Sequence, residues 1–350
     1  MSETSTTLPV FKTDLSALPL ALDADRMKAV FTPLLWRYFK RNLEINRIAI
    51  VVLRERSKRC VLRYKIHAVD SVHAREVTWS VIGKVFRPTV GEKVFVNMQQ
   101  LWQNGFSRNA EDGISMPEPI DFQSSLCLLI QEEVPGSSLK VLMNPLPQKE
   151  HFRQMGRALA KLHRCAFVPD VPFTVRDHLM RCHPKHEFLA FASPELAPDI
   201  DYIVERAYRI EAAFGQFPLA LLHGDFHLGQ IHLADGRVWL IDFDALSYGD
   251  PAADLGNLLV FLKAKASRNP AFNGLIDAFL GEYFSIMDPG IAARIPLYEA
   301  LTHVRRACKC LRLQKEEWLS KAQAMIKRGV SAINEIDQLM EDVYGKSNRI

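Results

Sequence analysis

The stretch from Leu219 to Asp244 constrains the fold more tightly than any other part of this 350-residue chain. An apolar run, Leu219 to Leu222, leads into His223-Gly224-Asp225-Phe226-His227-Leu228-Gly229-Gln230. Two short β-prone runs follow, Ile231 to Leu233 and Val238 to Ile241, separated by Asp235-Gly236. An Asp-Gly pair between apolar runs signals a tight hairpin turn, because both central residues of such a turn need positive φ. The hairpin carries Asp242 back toward Gln230 in spite of their separation in sequence. Asp225 sits in the turn just after the buried run. Two carboxylates and an amide thus gather around one supersecondary unit.

Those residue types suit a definite chemistry. A carboxylate at the end of a buried strand can orient a hydroxyl or accept its proton. Magnesium prefers oxygen ligands and takes only one or two of them from carboxylates, so Gln230 and Asp242 suffice as protein ligands. A rival reading takes His223, Asp225 and His227 as alternating residues on one strand face, as in a metallohydrolase site. No further His-rich cluster accompanies them. Cys182-His183-Pro184-Lys185-His186 also lacks a second ligand cluster at zinc spacing and reads as a surface loop.

The rest of the chain falls into two compositions. A helical pattern near 24–41 sets Met27, Val30, Phe31, Leu34, Leu35 and Tyr38 on one face. Three strand-like runs follow, Arg47 to Leu53, Cys60 to His67 and Thr78 to Phe86, as an antiparallel meander. A helix is expected over Glu92 to Gln103, with Val94, Phe95, Met98 and Leu101 inward, then a strand at Leu126 to Gln131. Val134-Pro135-Gly136 breaks this pattern. Beyond it helices dominate: His151 to Cys165, others within His186 to Phe214, one opened by Asp250-Pro251, then Pro296 to Leu313 and Trp318 to Val343. Val330, Ile333, Ile336, Met340 and Val343 form a stripe expected in the core. The expected architecture is α+β: a small antiparallel β-rich lobe over 1–130, a hinge at 131–136 and a larger helical lobe over 137–350. A cleft between two such lobes is a usual nucleotide site.

Charge and cysteine usage narrow the partners. Basic and acidic residues number 44 and 40, a net charge of +4, which gives no case for nucleic-acid binding. Met1 to Thr7 is polar and unlike a signal peptide, and Leu255 to Leu262 is too short to span a bilayer. Six scattered cysteines without a Cys-x-x-Cys pair fit reduced thiols, so a cytoplasmic protein with a small-molecule partner and no membrane partner is expected. Nothing in the pattern specifies an oligomeric state.

The segments His223-Gly224-Asp225, Gln230, Ile241-Asp242-Phe243-Asp244 and Gly249-Asp250-Pro251-Ala252-Ala253-Asp254-Leu255 resemble, in order and spacing, the signature of the aminoglycoside phosphotransferase and choline kinase family. That family has a protein-kinase-like two-lobed fold, and the resemblance extends weakly from about residue 25 to 345. It implies that Asp225 is the catalytic base and that Asp242 is the main magnesium ligand. Gln230 stands where most relatives have Asn, and this Gln resembles the one that maltokinase-like members carry there. Asp244 would assist the metal or contact substrate. His223 would fix the loop, Asp254 would tie it through backbone hydrogen bonds, and Asp250 would cap a helix.

In the first lobe the resemblance assigns Lys84 to the α- and β-phosphates, with Glu92 as its candidate acidic partner. Leu128 to Gly136 resembles a kinase hinge. Gln131 would stand at the gatekeeper position, and the Glu132 carbonyl and Val134 N–H would meet the adenine edge. The Gly-rich phosphate loop is absent, since Arg54-Glu55-Arg56-Ser57-Lys58-Arg59 contains no glycine. Arg305, Arg306 and Lys309 could bind an anionic acceptor, but are expected on a solvated helix face.

The implied activity is ATP- and Mg2+-dependent phosphoryl transfer to a hydroxyl of a small molecule: a sugar, an aminoglycoside-like compound or an amino alcohol. Gln230 tilts this toward a sugar; a choline acceptor would need an aromatic cage, for which Trp318, Tyr298 and Tyr283 are available. The alternative is a catalytically silent nucleotide-binding or scaffold protein, motivated by Gln230 and the missing glycines.

Overall fold

The computed structural model describes residues 15–70, 75–143, 148–214 and 218–344; the side chains of 214 and 337–344 lie outside that description. Two compact units emerge, Met1–Ala110 with Ser115–Pro135, and Glu111–Ile114 with Gly136–Ile350. The leading segment Met1 to Thr7 lies outside the described residues.

In the first unit a short helix α1 (Leu18–Ala21) precedes α2 (Ala24–Phe39). Asp23 caps α2 by accepting from the N–H groups of Asp25 and Arg26. Met27, Phe31, Leu34 and Leu35 are buried, as their spacing requires, whereas Tyr38 is 36% exposed. Tyr38 fell in the same helical stripe but sits in the last turn, where its ring leans on Trp79 at 5.0 Å.

Strands β1 (Leu43–Arg56), β2 (Arg59–Asp70) and β3 (Arg75–Phe86) form the expected meander, each longer than its apolar run. After α3 (Gly91–Leu101) and a short strand β4 (Ile114–Ser115) come β5 (Pro119–Gln123) and β6 (Leu128–Glu132). The five-stranded antiparallel sheet runs β1-β2-β3-β6-β5. Strand period divides its residues cleanly between two faces. Leu62, Tyr64, Ile66, Val81, Val85, Leu128 and Ile130 join α1 and α2 in one core. Lys84, Ile82, Leu129 and Gln131 take the opposite face, where α3 packs.

The second unit opens with β7 (Ser137–Ser138) and α4 (Lys149–His163). Next come β8 (Pro172–Phe173), α5 (Val175–Met180), α6 (His186–Ala192) and α7 (Ala197–Phe214). Strands β9 (Ala220–Leu222), β10 (Ile231–Ala234), β11 (Arg237–Leu240) and β12 (Ser247–Gly249) follow. Helices α8 (Ala252–Ala266), α9 (Ala271–Phe284), α10 (Ile295–Leu313) and α11 (Trp318–Tyr344) complete it.

The Asp-Gly hairpin forms as the sequence demands. Ala234 pairs with Arg237, and Asp235 and Gly236 take φ of 51° and 72°. In α11 the buried side is Ala322, Ile326, Ile333 and Ile336, while Val330 is only half-buried. Met340 and Val343 fall among side chains outside the description. Among the described residues, no helix is long and apolar enough to cross a membrane. All six cysteines are free thiols. Cys182 is buried, so the expected surface loop is anchored inward at its first residue.

Candidate active site

The loop from His223 to Gln230 is held from beneath by one buried carboxylate. Asp254, 2% exposed in the first turn of α8, accepts the N–H of His223 at 2.7 Å and that of Gly224 at 2.9 Å. His163, at the end of α4, places Nε2 3.2 Å from the same carboxylate, and its Nδ1 lies 2.7 Å from the Tyr283 hydroxyl. Burial pushes the Tyr283 phenol up, so the phenol keeps its proton beside Nδ1. The Nε2–H of His163 then donates to Asp254. Burial opposes ionisation of Asp254, but the hydrogen bonds from His163 and from the His223 N–H, with the electrostatic influence of both rings, hold it below the usual carboxylate range. The resemblance-based role of Asp254 therefore has a geometric basis, and His163 and Tyr283 are parts of it that no sequence motif marked.

His223 is fully buried and donates from Nε2 to the Ile241 carbonyl at 3.0 Å, joining the end of β9 to the residue before Asp242. Gly224 has φ of 76°, and a Cβ there would collide with the Ala245 carbonyl. Arg181 donates to the Gly224 carbonyl at 2.6 Å, and Asn257 donates to that of Phe226 at 3.0 Å. Asp225, between them, is exposed: its carboxylate projects from a tightly braced loop. This disposes of the alternation reading. His223, Asp225 and His227 lie on a turn, with His223 inward and Asp225 outward. Among the described residues no group of three or more His, Cys, Asp or Glu is arranged to hold a metal.

Gln230, 6% exposed, ends the loop with its amide 3.3 Å from Asp242 Oδ2. Asp242 takes φ of 68°, a left-handed conformation that Asp tolerates better than most residues and that recurs at functional sites. His227 accepts the Gly229 N–H on Nδ1 at 3.0 Å, so its Nε2 carries the proton of the neutral ring. That Nε2 lies 3.5 Å from Gln230 Nε2, donor against donor. Gln230 Nε2 donates to Asp242 Oδ2, so an amide and a carboxylate stand side by side, and the oxygens these two groups carry match the oxygen preference of magnesium. Asp244 is half-buried in the 3-10 turn Phe243–Ala245 that follows.

The first unit holds the other residues. Lys84, 5% exposed, pairs across to Leu129 on β6, and Gln131 pairs with Ile82, so both point from one sheet face. Gln131 is 5% exposed, and its Oε1 is buried without a hydrogen-bond partner. Glu132 turns the other way: its carboxylate takes the Glu118 N–H at 3.2 Å and the Arg108 guanidinium. Burial raises Glu132, and these donors work against the rise. Its side chain is thus occupied in structure. Val134 is half-buried just past the strand. Glu92 is exposed in the first turn of α3, so that helix start does not supply a buried carboxylate to the Lys84 face. The β1–β2 connection is a two-residue turn at Ser57-Lys58.

On α10, only Lys309 of the three basic residues is fully exposed. Arg306 stacks over Phe261 at 4.5 Å, and Arg305 is half-buried and donates to Asn257 Oδ1. The expected solvated face is corrected for these two, because the helix turns them toward α8. Asp250 caps α8 through the Ala252 N–H at 3.0 Å and also receives a fork from Arg294, at 2.8 and 3.1 Å.

Residues 97–294 match the phosphotransferase enzyme family. No curated protein matches the sequence. Among solved structures, a choline/ethanolamine kinase family protein from Mesorhizobium loti superposes with a TM-score of 0.53 at 14% identity, covering 82% of this chain and 92% of that one. Choline kinase LicA from Streptococcus pneumoniae gives 0.53 at 17%, covering 88% and 99%. A thermostable mutant of aminoglycoside phosphotransferase APH(4)-Ia, in ternary complex with AMP-PNP and hygromycin B, gives 0.56 at 15%, covering 87% and 97%. The shared fold is that of these kinases.

Proposed function

This chain belongs to the phosphotransferase enzyme family, and on that premise we propose that it is a small-molecule kinase that transfers the γ-phosphate of ATP to a hydroxyl of a small acceptor in a magnesium-dependent reaction. The observation that carries the reading is the pairing of Gln230 with Asp242 at 3.3 Å, on the same hairpin unit that presents Asp225 from a loop clamped by Asp254.

Asp225 orients the acceptor hydroxyl and takes its proton. The acceptor oxygen forms a bond to the γ-phosphorus as the bond to the β,γ-bridging oxygen breaks. Gln230 and Asp242, with Asp244 beside them, hold the cation, which when bound neutralises charge on the β- and γ-phosphates. Lys84 meets the α- and β-phosphates. The adenine edge meets the Glu132 carbonyl and the Val134 N–H, with Gln131 alongside. Positioning and charge stabilisation supply most of the acceleration, as is usual in phosphoryl transfer. Lys84 and Gln131 on one face of β3 and β6 support the nucleotide assignment.

Asp242→Ala is expected to lower turnover by roughly 1,000-fold or more while the protein stays folded. Phosphorylation of an acceptor at the unaltered rate refutes the metal assignment. The glycine-free turn at Ser57-Lys58 favours a second reading, a nucleotide-binding protein without transferase activity. Tight ATP binding with no transfer to any hydroxylated acceptor would select it.

A further inference from the structure

Two arginines bracket Asp225. Arg181, just past α5, reaches the carbonyl of Gly224 at 2.6 Å and that of Ala245 at 3.5 Å, with its guanidinium 4.2 Å from the Phe173 ring centroid. Arg305, on α10, donates to Asn257, which in turn holds the Phe226 carbonyl. One arginine is therefore tied to the residue before Asp225 and the other to the residue after it. Both are half-buried, and neither makes an ion pair within 4 Å among the described residues.

The neighbouring carboxylates are already committed. Asp254 serves two backbone N–H groups and His163. Asp177 takes the N–H and hydroxyl of Thr174, at 2.9 and 2.7 Å. Asp250 is bound by Arg294. Asp254, Asp225 and Asp177 offset part of the charge of Arg181, and Asp225 part of that of Arg305, but among the described residues none of these carboxylates pairs with either guanidinium within 4 Å. Burial lowers both arginines from their ordinary value, and the charge of Arg305 adds to the effect on Arg181. His178, buried beside them on α5 with no partner on either ring nitrogen, is pushed well below its ordinary value by burial and then by these same two arginines. It stays neutral and adds no compensating charge. Half-buried positive charge with only carbonyl and amide partners costs desolvation that an incoming anion would recover.

We propose that the acceptor is an anion: a small hydroxylated molecule whose carboxylate or phosphate is held by Arg305, with Arg181, while its hydroxyl meets Asp225. The planar guanidinium suits a two-oxygen anion. The assignment of the hydroxyl rests on the phosphotransferase reading, whereas the anion site does not. A cationic amino alcohol or aminoglycoside would be repelled at this position.

The test is calorimetric titration of the full chain with charge-matched ligands at constant ionic strength. One set is D-glucuronate, D-glucose 6-phosphate, D-glucose and D-glucosamine; the other is D-glycerate, glycerol 3-phosphate, glycerol and ethanolamine. In at least one set an oxyanion member should bind roughly 10-fold or more tighter than its neutral and cationic counterparts, and which oxyanion wins identifies the carboxylate or the phosphate. Arg305→Gln should remove that preference, and Arg305→Lys should restore part of it. Equal binding across charge, tighter binding of the amines, no oxyanion binding, or a preference untouched by Arg305→Gln overturns the proposal. If Arg305→Gln fails to fold, the wild-type charge preference alone decides. Phosphoryl transfer is followed separately with Mg-ATP. Oxyanion binding without transfer leaves the anion site standing and counts against these compounds as acceptors; transfer only to neutral or cationic acceptors overturns the anion proposal and leaves the kinase reading standing.

Discussion

Asp254 shows how much of this site depends on a residue that touches no substrate. Its two oxygens receive two backbone N–H groups and the imidazole of His163, all in a buried setting. Removing one partner from such a cluster leaves buried donors unsatisfied, which costs more than the net value of the bonds themselves. Asp254→Asn should lower folding stability by about 3 kcal/mol in chemical denaturation. A loss under about 1 kcal/mol would show that the loop does not depend on this carboxylate. Its role was anticipated only through the family resemblance of Gly249 to Leu255, which implied that it ties the loop through backbone hydrogen bonds. His163 and Arg181 were not legible, since each arrives from a distant element and carries no local signature, whereas Tyr283 and Arg305 were singled out for other reasons, an aromatic cage and an anion contact on an otherwise solvated helix face.

At the scale of elements, turns decide geometry. Asp235-Gly236 was readable because the two-residue hairpin demands positive φ twice, and Asp and Gly are among the few residues that supply it cheaply. Gly136 is the stricter case: φ is 79°, and a Cβ would run into the carbonyl of Leu233 and the side chain of Ala234 on β10. Gly136→Ala should therefore destabilise the second unit by about 2 kcal/mol or more, seen as a lower thermal midpoint. An unchanged midpoint would mean that the β7–β10 pairing tolerates displacement. The lysine-bearing strand was found by its apolar flanks, but Glu92, named only as its candidate partner, is exposed. A carboxylate in the first turn of a helix has its own favourable interaction with the helix N-terminus, and exposure is its natural state. The basic residues of α10 were misjudged for a related reason: charge alone does not reveal which helical face meets a neighbour.

For the molecule as a whole, buried histidines set the acid limit. Burial, then Arg306, Arg328 and Lys263, push His303 down to about 4, and His178 also lies well below its ordinary value. In the unfolded chain these rings take a proton near 6.5, while the folded chain refuses it until lower pH. Stability is therefore complete above about pH 6.5 and falls as pH drops from there toward 4. Thermal midpoints measured over that range should decline, and His303→Gln should flatten the decline. A midpoint that rises on acidification would contradict the burial of these groups.

The central claim is that Gln230 and Asp242 form a cation site serving a bound nucleotide, and calorimetric titration with ATP, with and without magnesium, tests it most directly. Magnesium should tighten ATP binding to the wild-type chain, and Asp242→Ala should erase that gain. Binding that is equal with and without magnesium, or equally magnesium-dependent in Asp242→Ala, would contradict it.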